Sequence, residues 1–110
     1  MFTHHVTMPL KADSSTGLSN KIDKSIMPFL QSEKGFLYGV TLVEPEWTKA
    51  TSDTNWETMA DAESYQRTGY LKVLEMLSEF VTAVPADSIF EVSSSSYYQI
   101  GMSHPLNSIS

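Results

Sequence analysis

The chain contains no cysteine, has fewer basic than acidic residues, and lacks any long apolar run. Without cysteine, disulfides, thiol nucleophiles and thiolate metal sites are excluded, and a reducing compartment is favoured over secretion. A balance of 7 basic against 13 acidic residues gives a net charge of −6, which repels phosphate backbones at long range. No stretch has the length of a membrane span or the character of a signal peptide. We therefore expect a soluble, cytoplasmic protein that binds neither nucleic acid nor membrane.

Sequence patterns for several common active sites are also missing. No glycine-rich phosphate loop and no serine-nucleophile motif is present. Of the three histidines, His4 and His5 are adjacent on an expected strand and would face opposite sides, while His104 lies near the C-terminus. Because a metal site needs several ligands on one side, we expect no metal.

A length of 110 residues fits one compact domain. We assign residues 1–100 to this domain and residues 101–110, which are small and polar, to a C-terminal tail. A domain of this size buries a modest share of its surface, so long apolar strands favour pairing with a second copy of the chain.

The first third of the chain predicts a strand and then a helix. Alternate residues of the strand are apolar or aromatic, namely Phe2, His4, Val6, Met8 and Leu10. Leu18, Ile22 and Ile26 then recur at helical spacing after a serine-rich start. Pro28 predicts either a kink or a restart of the helix with proline in its first position. Gly35 is the expected stop.

The remainder predicts two strands, a helix and a final strand. Residues 36–44 form a strand that is apolar on both sides, 45–53 a polar turn, and 54–58 a third strand. Thr58 and Asp61 are expected to cap a second helix, with a buried stripe that includes Tyr70 and an end at Pro85. A last strand is predicted over 89–100. Gly69 inside the second helix suggests a close approach of another group.

This order of elements is βαββαβ, the α+β ferredoxin-like arrangement, with an antiparallel sheet and both helices on one face. The opposite face would be bare. Because the second strand is apolar on both sides, we expect two sheets to pack face to face in a homodimeric α/β barrel.

Two short segments resemble the antibiotic biosynthesis monooxygenase-like family. They are Lys34-Gly35-Phe36-Leu37-Tyr38-Gly39 at the start of the second strand, and Asn55-Trp56-Glu57-Thr58 followed by Ala60-Asp61-Ala62-Glu63-Ser64-Tyr65. The element order matches over nearly the whole chain. The resemblance implies a homodimeric barrel with an apolar pocket between sheet and helices. Known members include cofactor-independent oxygenases of quinols or anthrones, haem-degrading enzymes, and proteins of no established activity.

Only one residue of the family's oxygenase site carries over. In anthrone-oxidising members the tryptophan has an asparagine four positions before it and a tyrosine six after it, and here those positions hold Ser52 and Ala62. Trp56 itself matches. Tyr65, one helical turn beyond Ala62, is expected to point into the same space. The second helix offers no histidine to hold haem iron, so the resemblance implies an enzyme without a cofactor.

The candidate site residues each have a structural alternative. His4 on the apolar side of the first strand would be the base, and Trp56 the pocket wall that shares the catalytic site with it. Tyr65, Met8 and Tyr38 would bind the ligand together with Trp56. All five residues could instead be ordinary packing residues in the hydrophobic core or at its edge.

We therefore predict a cofactor-independent monooxygenase that acts on a small planar aromatic or quinol-type molecule. A base such as His4 would favour the substrate anion, which reacts directly with oxygen. The main alternative is a non-catalytic ligand-binding or dimeric interaction module, with a pocket that is small or filled by Met8, Met76 and Trp56. An isomerase or other proton-transfer enzyme on the same fold is a third possibility.

Overall fold

The computed structural model describes residues 1–96. In chain order the elements are β1 Phe2–Pro9, α1 Ser15–Lys21, a π-helical segment Ile22–Ile26, α2 Met27–Gln31, β2 Phe36–Val43, β3 Lys49–Trp56, α3 Met59–Arg67, α4 Gly69–Leu77 and β4 Ala86–Glu91. The strands form one antiparallel sheet in the order β2-β3-β1-β4. The predicted α+β ferredoxin-like arrangement is confirmed. Within the described part of the chain, no helix has the length and apolar character needed to cross a membrane.

Strand β1 follows the predicted alternation. His4, Val6, Met8 and Leu10 are each at most 6% exposed, whereas the residues between them are only partly covered. Because β1 is hydrogen-bonded to β3 on one side and β4 on the other, it lies in the middle of the sheet. Its buried side chains therefore project into the centre of the core.

The prediction of a polar turn over residues 45–53 is wrong in its second half. Strand β3 begins at Lys49 and pairs with both β1 and β2 along its length. The turn is confined to the residues before it, where Trp47 adopts a positive φ of 58° and the Glu44 N–H donates to the Lys49 carbonyl at 3.0 Å. Polar side chains are tolerated in β3 because two neighbouring strands satisfy its backbone.

The first helical region is continuous but irregular. The π-helical segment separates α1 from α2, and Pro28 lies in the first turn of α2, where its missing N–H costs little. The sequence predicted either a kink or a restart of the helix at Pro28, and the structure is closer to the restart. Leu18, Ile26 and Leu30 are buried against the sheet. Gly35 has φ of 82° just before β2, a conformation that glycine adopts without strain.

The second helical region is broken into α3 and α4. Thr58 caps α3 as predicted, because its side chain accepts a hydrogen bond from the Asp61 N–H at 3.0 Å. The predicted single helix is interrupted at Thr68, which has φ −125° and ψ −74°. A β-carbon on Gly69 would fall 2.9 Å from the Tyr65 ring, which confirms the close approach expected there. The break lets Tyr65 and Tyr70 turn toward the same part of the core.

The last strand lies earlier in the chain than predicted. Strand β4 spans Ala86–Glu91, and residues 92–95 have no regular structure. The predicted strand residues 97–100 and the tail 101–110 lie outside the described residues. The earlier start matters because it brings Asp87, which the sequence prediction assigned to no element, into the sheet beside β1.

The two faces of the sheet are unlike. The helices cover the face that carries Met8, Ala50 and Trp56, each at most 1% exposed. The other face carries the alternate residues of each strand. On this open face, Val40 is 43%, Phe90 56% and Leu42 60% exposed in the isolated chain.

Candidate active site

A buried histidine and an acidic residue form the polar centre of the helix-covered face. His4 is fully buried, and its Nε2 lies 2.7 Å from Oδ2 of Asp87, although the two residues are 83 positions apart. Adjacent strands β1 and β4 bring them together. The same carboxylate oxygen accepts a 2.9 Å hydrogen bond from Nε2 of Gln66 on α3. Asp87 is therefore held from both the sheet and a helix.

The environment favours a neutral imidazole. Burial lowers the pKa of His4 below its ordinary value of 6.5, and this outweighs the opposing effect of Asp87. For Asp87, burial acts to raise the pKa, but hydrogen bonds from Gln66 and His4 hold it below its usual range. Because a carboxylate only accepts, Nε2 of His4 carries the proton. Nδ1 is then a lone-pair acceptor, and among residues 1–96 it has no hydrogen-bond partner.

Aromatic rings enclose this histidine. The ring centroids of Tyr70 and Tyr65 lie 4.5 and 5.5 Å from that of His4, both in edge-to-face geometry. Trp56 stacks on Tyr65 with centroids 4.6 Å apart, and Phe36 meets the far side of Trp56 at 5.5 Å. The indole N–H of Trp56 donates to Thr54 Oγ1 at 2.9 Å, which fixes the ring. The cluster has the flat, apolar walls that suit a planar ligand.

The tyrosine hydroxyls in this cluster stay protonated over the physiological range. Burial is the main cause that raises the pKa of Tyr70 to about 12, with a contribution from the charge of Asp87. Burial likewise raises the pKa of Tyr65 well above its usual range. The Tyr70 hydroxyl is buried and, within the described residues, has no hydrogen-bond partner. Tyr70 is thus an available donor on a side chain whose ring contacts His4.

Two cavities bear on ligand access. The space enclosed between sheet and helices, lined in part by Met8, Ile26 and Leu77, measures only about 20 Å³, room for little more than one water molecule. A second, more open cleft of about 340 Å³ lies at one end of the sheet, against Trp56 and Tyr65. Its rim is polar, with Lys34 and Asp61 among the lining residues. Only the second has the volume of a typical small-molecule site.

The structure brings three of the five candidate residues together. His4, Trp56 and Tyr65 belong to one aromatic cluster. Met8 shares their face but lines the small inner cavity. Tyr38 is paired with Asn55 across the strands, which places it on the face of the sheet away from His4.

Sequence reasoning missed Asp87. The signal that could have found it is the alternation of side chains along β4. Asp87 and Ile89 lie on the same face of this strand, so a strand that starts at Ala86 carries the carboxylate toward the core. Within residues 1–96, no three histidine or acidic side chains are grouped in a way that could hold a metal ion.

Comparison with known proteins identifies the fold through structure and not through sequence. No protein-family model matches the chain, and no curated protein matches it in sequence. Among solved structures, the monooxygenase from the ActVA-Orf6 gene of Streptomyces coelicolor, in complex with nanaomycin D, superimposes with a TM-score of 0.71. It is 15% identical, and the match covers 86% of this chain and 88% of that chain.

Two further structures show the same likeness. SnoaB, a cofactor-independent oxygenase from Streptomyces nogalater, is 14% identical with a TM-score of 0.67, over 86% of this chain and 94% of its own. A conserved protein from Methanosarcina mazei is 16% identical with a TM-score of 0.66, over 82% of this chain and 90% of its own. At these identities the likeness concerns the backbone. The chain has the fold of the antibiotic biosynthesis monooxygenase-like proteins.

Proposed function

We propose that this protein is a cofactor-independent monooxygenase that acts on a small planar phenol or hydroquinone. The observation that carries the proposal is the buried His4, whose Nε2 is held by the more exposed Asp87 and whose Nδ1 is left as a free acceptor inside an aromatic cluster. A neutral imidazole in this position is suited to remove a proton from an acidic hydroxyl. Trp56 and Tyr65 supply the flat surface on which an aromatic ring stacks.

The proposed reaction needs only the substrate and oxygen. His4 Nδ1 takes the phenolic proton, and the resulting anion passes an electron to O₂ and forms a carbon–oxygen bond at an activated ring carbon. The peroxide then takes up a proton. Loss of the remaining C–H proton breaks the O–O bond, so the ring gains a carbonyl oxygen and the second oxygen atom leaves as water. The substrate supplies all four electrons, and the protein supplies proton transfer, orientation and exclusion of water.

The open cleft provides the route to the base. Its inner wall is formed by Trp56 and Tyr65, and the Tyr65 ring in turn contacts His4. A substrate that displaces the Tyr65 ring therefore reaches Nδ1 from the cleft. The helix break at Thr68, just after α3, gives this part of the wall a place to hinge.

Structural relatives support the proposal by their described activities. SnoaB is described as a cofactor-independent oxygenase, and the Streptomyces coelicolor monooxygenase was solved with nanaomycin D bound. We further propose a cytoplasmic homodimer, in which the open sheet face with Val40, Leu42 and Phe90 packs on a second copy. The absence of cysteine is in keeping with the cytoplasm.

The small inner cavity favours a second candidate function. With about 20 Å³ between sheet and helices, the core is nearly filled by Met8 and Trp56, each at most 1% exposed. A filled core is what a non-catalytic dimer scaffold or ligand-binding module requires. In that case the cleft beside Trp56 would bind a molecule without changing it.

Oxygen uptake by matched variants separates these functions. The purified protein is mixed with naphthols, hydroquinones and anthrones, and oxygen consumption is followed above the protein-free rate. His4→Gln is expected to lower the rate by roughly 10² to 10⁴ because it removes the general base. His5→Gln, which alters the neighbouring histidine on the other face, is the control. Equal rates in His4→Gln and the wild-type protein would remove His4 from the mechanism, and binding without oxygen uptake would favour the non-catalytic module.

A further inference from the structure

We propose that Nδ1 of His4 and the hydroxyl of Tyr70 form a binding site for one hydroxyl group of an aromatic ligand. This inference deepens the proposed function and rests on it for the identity of the site. It assigns a role to Tyr70 and narrows the ligand class to molecules with a free phenolic hydroxyl.

Two buried polar atoms without partners belong to side chains whose rings are in contact. Tyr70 is 5% exposed and His4 is fully buried. Their ring centroids are 4.5 Å apart, and within residues 1–96 neither the Tyr70 hydroxyl nor Nδ1 of His4 has a hydrogen-bond partner. A buried polar atom left unsatisfied costs about 1–3 kcal/mol. Two such atoms in contacting side chains are therefore an uncommon arrangement that a ligand would relieve.

The chemical character of the two atoms selects the ligand. Asp87 holds the proton of His4 on Nε2, so Nδ1 can only accept a hydrogen bond. The hydroxyl of Tyr70 remains protonated because burial raises its pKa to about 12, so it can donate. The group that satisfies both must donate one hydrogen bond and accept another. A hydroxyl does this, whereas a quinone carbonyl or an aryl ether can only accept and leaves Nδ1 unpaired.

The surroundings indicate that the hydroxyl is carried by an aromatic ring. Tyr65 lies edge-on to His4 and stacks on Trp56, so the side chains around the two atoms present flat apolar surfaces that a ligand would meet once the Tyr65 ring is displaced. The donor of Tyr70 would also stabilise the oxygen as its proton moves to His4. Tyr70 thus favours the anion that the base produces.

The test is calorimetric binding under nitrogen, where no oxidation takes place. The probes are 1-naphthol, 1-methoxynaphthalene and 1,4-naphthoquinone, which present a hydroxyl, an ether and two carbonyls on the same ring system. The wild-type protein is expected to bind 1-naphthol at least about tenfold more tightly than the other two. Tyr70→Phe should weaken 1-naphthol binding by about tenfold.

Two controls keep the result interpretable. Tyr38→Phe removes a hydroxyl from the other side of the sheet and should not change the affinity for 1-naphthol. Tyr70→Phe removes a buried hydroxyl that lacks a partner, so it should fold with an unchanged or higher melting temperature.

Equal affinities for 1-naphthol and 1-methoxynaphthalene would overturn the inference and indicate that the two atoms hold water only. Failure of all three probes to bind, or equal effects of Tyr70→Phe and Tyr38→Phe, would overturn it as well. Selective binding of 1-naphthol without oxygen uptake in air would support the hydroxyl site and contradict the monooxygenase.

Discussion

Strand β1 presents two consecutive histidines to opposite faces of the sheet, and each is paired with an aspartate. His4 contacts Asp87 at 2.7 Å on the helix-covered face, and His5 contacts Asp53 at 2.5 Å on the open face. The side chain of His4 is 1% exposed, whereas that of His5 is 35% exposed. The contact uses Nε2 in His4 and Nδ1 in His5, and the two aspartates are similarly exposed, so the pairs differ mainly in the access of water to the imidazole ring.

Burial is what turns one of these pairs into a candidate catalytic group. Removal from water lowers the pKa of His4 and keeps its ring neutral. Aromatic rings from α3 and α4 then surround Nδ1 and prevent it from finding a partner in the protein. On the open face, His5 also approaches the Thr7 hydroxyl at 3.4 Å, and water can reach the pair. The comparison teaches that the site depends on its enclosure more than on the histidine and aspartate themselves.

Truncation of Trp56, which belongs to the aromatic cluster around His4, should have the largest effect on stability. Trp56→Ala is expected to lower the free energy of unfolding by about 3–5 kcal/mol, because it empties a fully buried site. Phe90→Ala on the open face is the matched change and should cost less than about 1 kcal/mol in the monomer. Denaturant unfolding at two protein concentrations measures both. A larger cost of Phe90→Ala at high concentration would indicate that a second copy covers this face, and a small cost for Trp56→Ala would contradict the packing described here.

Loss of the Asp87 carboxylate beside His4 should have the next largest effect. Asp87→Asn is expected to reduce kcat by roughly a hundredfold, because the imidazole is no longer held in the tautomer that leaves Nδ1 free. Since Asp87 acts to raise the pKa of His4, the acid limb of the pH profile should move to lower pH in this variant. A purely structural role for Asp87 would reduce activity without moving that limb.

Acid should destabilise the protein through His4. Its pKa is lowered on folding, so the unfolded chain binds the proton more readily and stability falls as pH drops below about 6.5, by at most about 1.4 kcal/mol per pH unit for one proton. The groups around the ring are Asp87, Tyr65, Tyr70 and His5, and the tyrosines do not titrate in this range. Asp87, whose pKa is also lowered, adds a further loss only in stronger acid.

The pH dependence can be assigned with single variants. Denaturant midpoints between about pH 7 and 5 should show a flatter curve for His4→Gln than for the wild-type protein. His5→Gln, which leaves His4 in place, should flatten the curve less than His4→Gln does. An unchanged slope in His4→Gln would show that another group takes up the proton.

The smallest effect is expected on the open face. Asp53→Asn removes the partner of His5, and a pair that water reaches contributes only about 0.2–1 kcal/mol. The measurement is the unfolding free energy at low and high salt, with Asp87→Asn, which removes the partner of the buried His4, as the comparison. A cost for Asp53→Asn as large as that for Asp87→Asn would remove the distinction between the two faces.

Much of the fold could be predicted from local pattern. The alternation in β1 and the cap formed by Thr58 are signals within a few residues, and both are confirmed. The stop predicted at Gly35 comes earlier, because α2 ends at Gln31 and Gly35 instead forms the positive-φ turn before β2. The strand at 49–53 was missed because Lys49, Ala50 and Asp53 are depleted in strands and only Thr51 is a typical strand residue. Two neighbouring strands supply its hydrogen bonds, and that support comes from distant parts of the chain.

The site was also partly predictable, because some of its features are local in the sequence. His4 and Trp56 stood out because each combines an aromatic ring with a buried position on a strand. Tyr65 was placed by helical spacing, and its stacking on Trp56 is observed. Asp87 and the break at Thr68 could not be found locally, because one depends on pairing across 83 residues and the other on packing between α3 and α4. The resemblance to a known family did not include either feature.

The central claim is that His4 is a neutral, buried base whose free nitrogen receives the substrate hydroxyl. A nitrogen–proton correlation spectrum of the histidine rings at about pH 7 tests it, with His4→Gln to assign the signals. We expect the proton of His4 on Nε2, a bare Nδ1, and a shift of the Nδ1 resonance when 1-naphthol is added under nitrogen. A doubly protonated ring, a proton on Nδ1, or an Nδ1 resonance that does not shift when 1-naphthol is added would contradict the account.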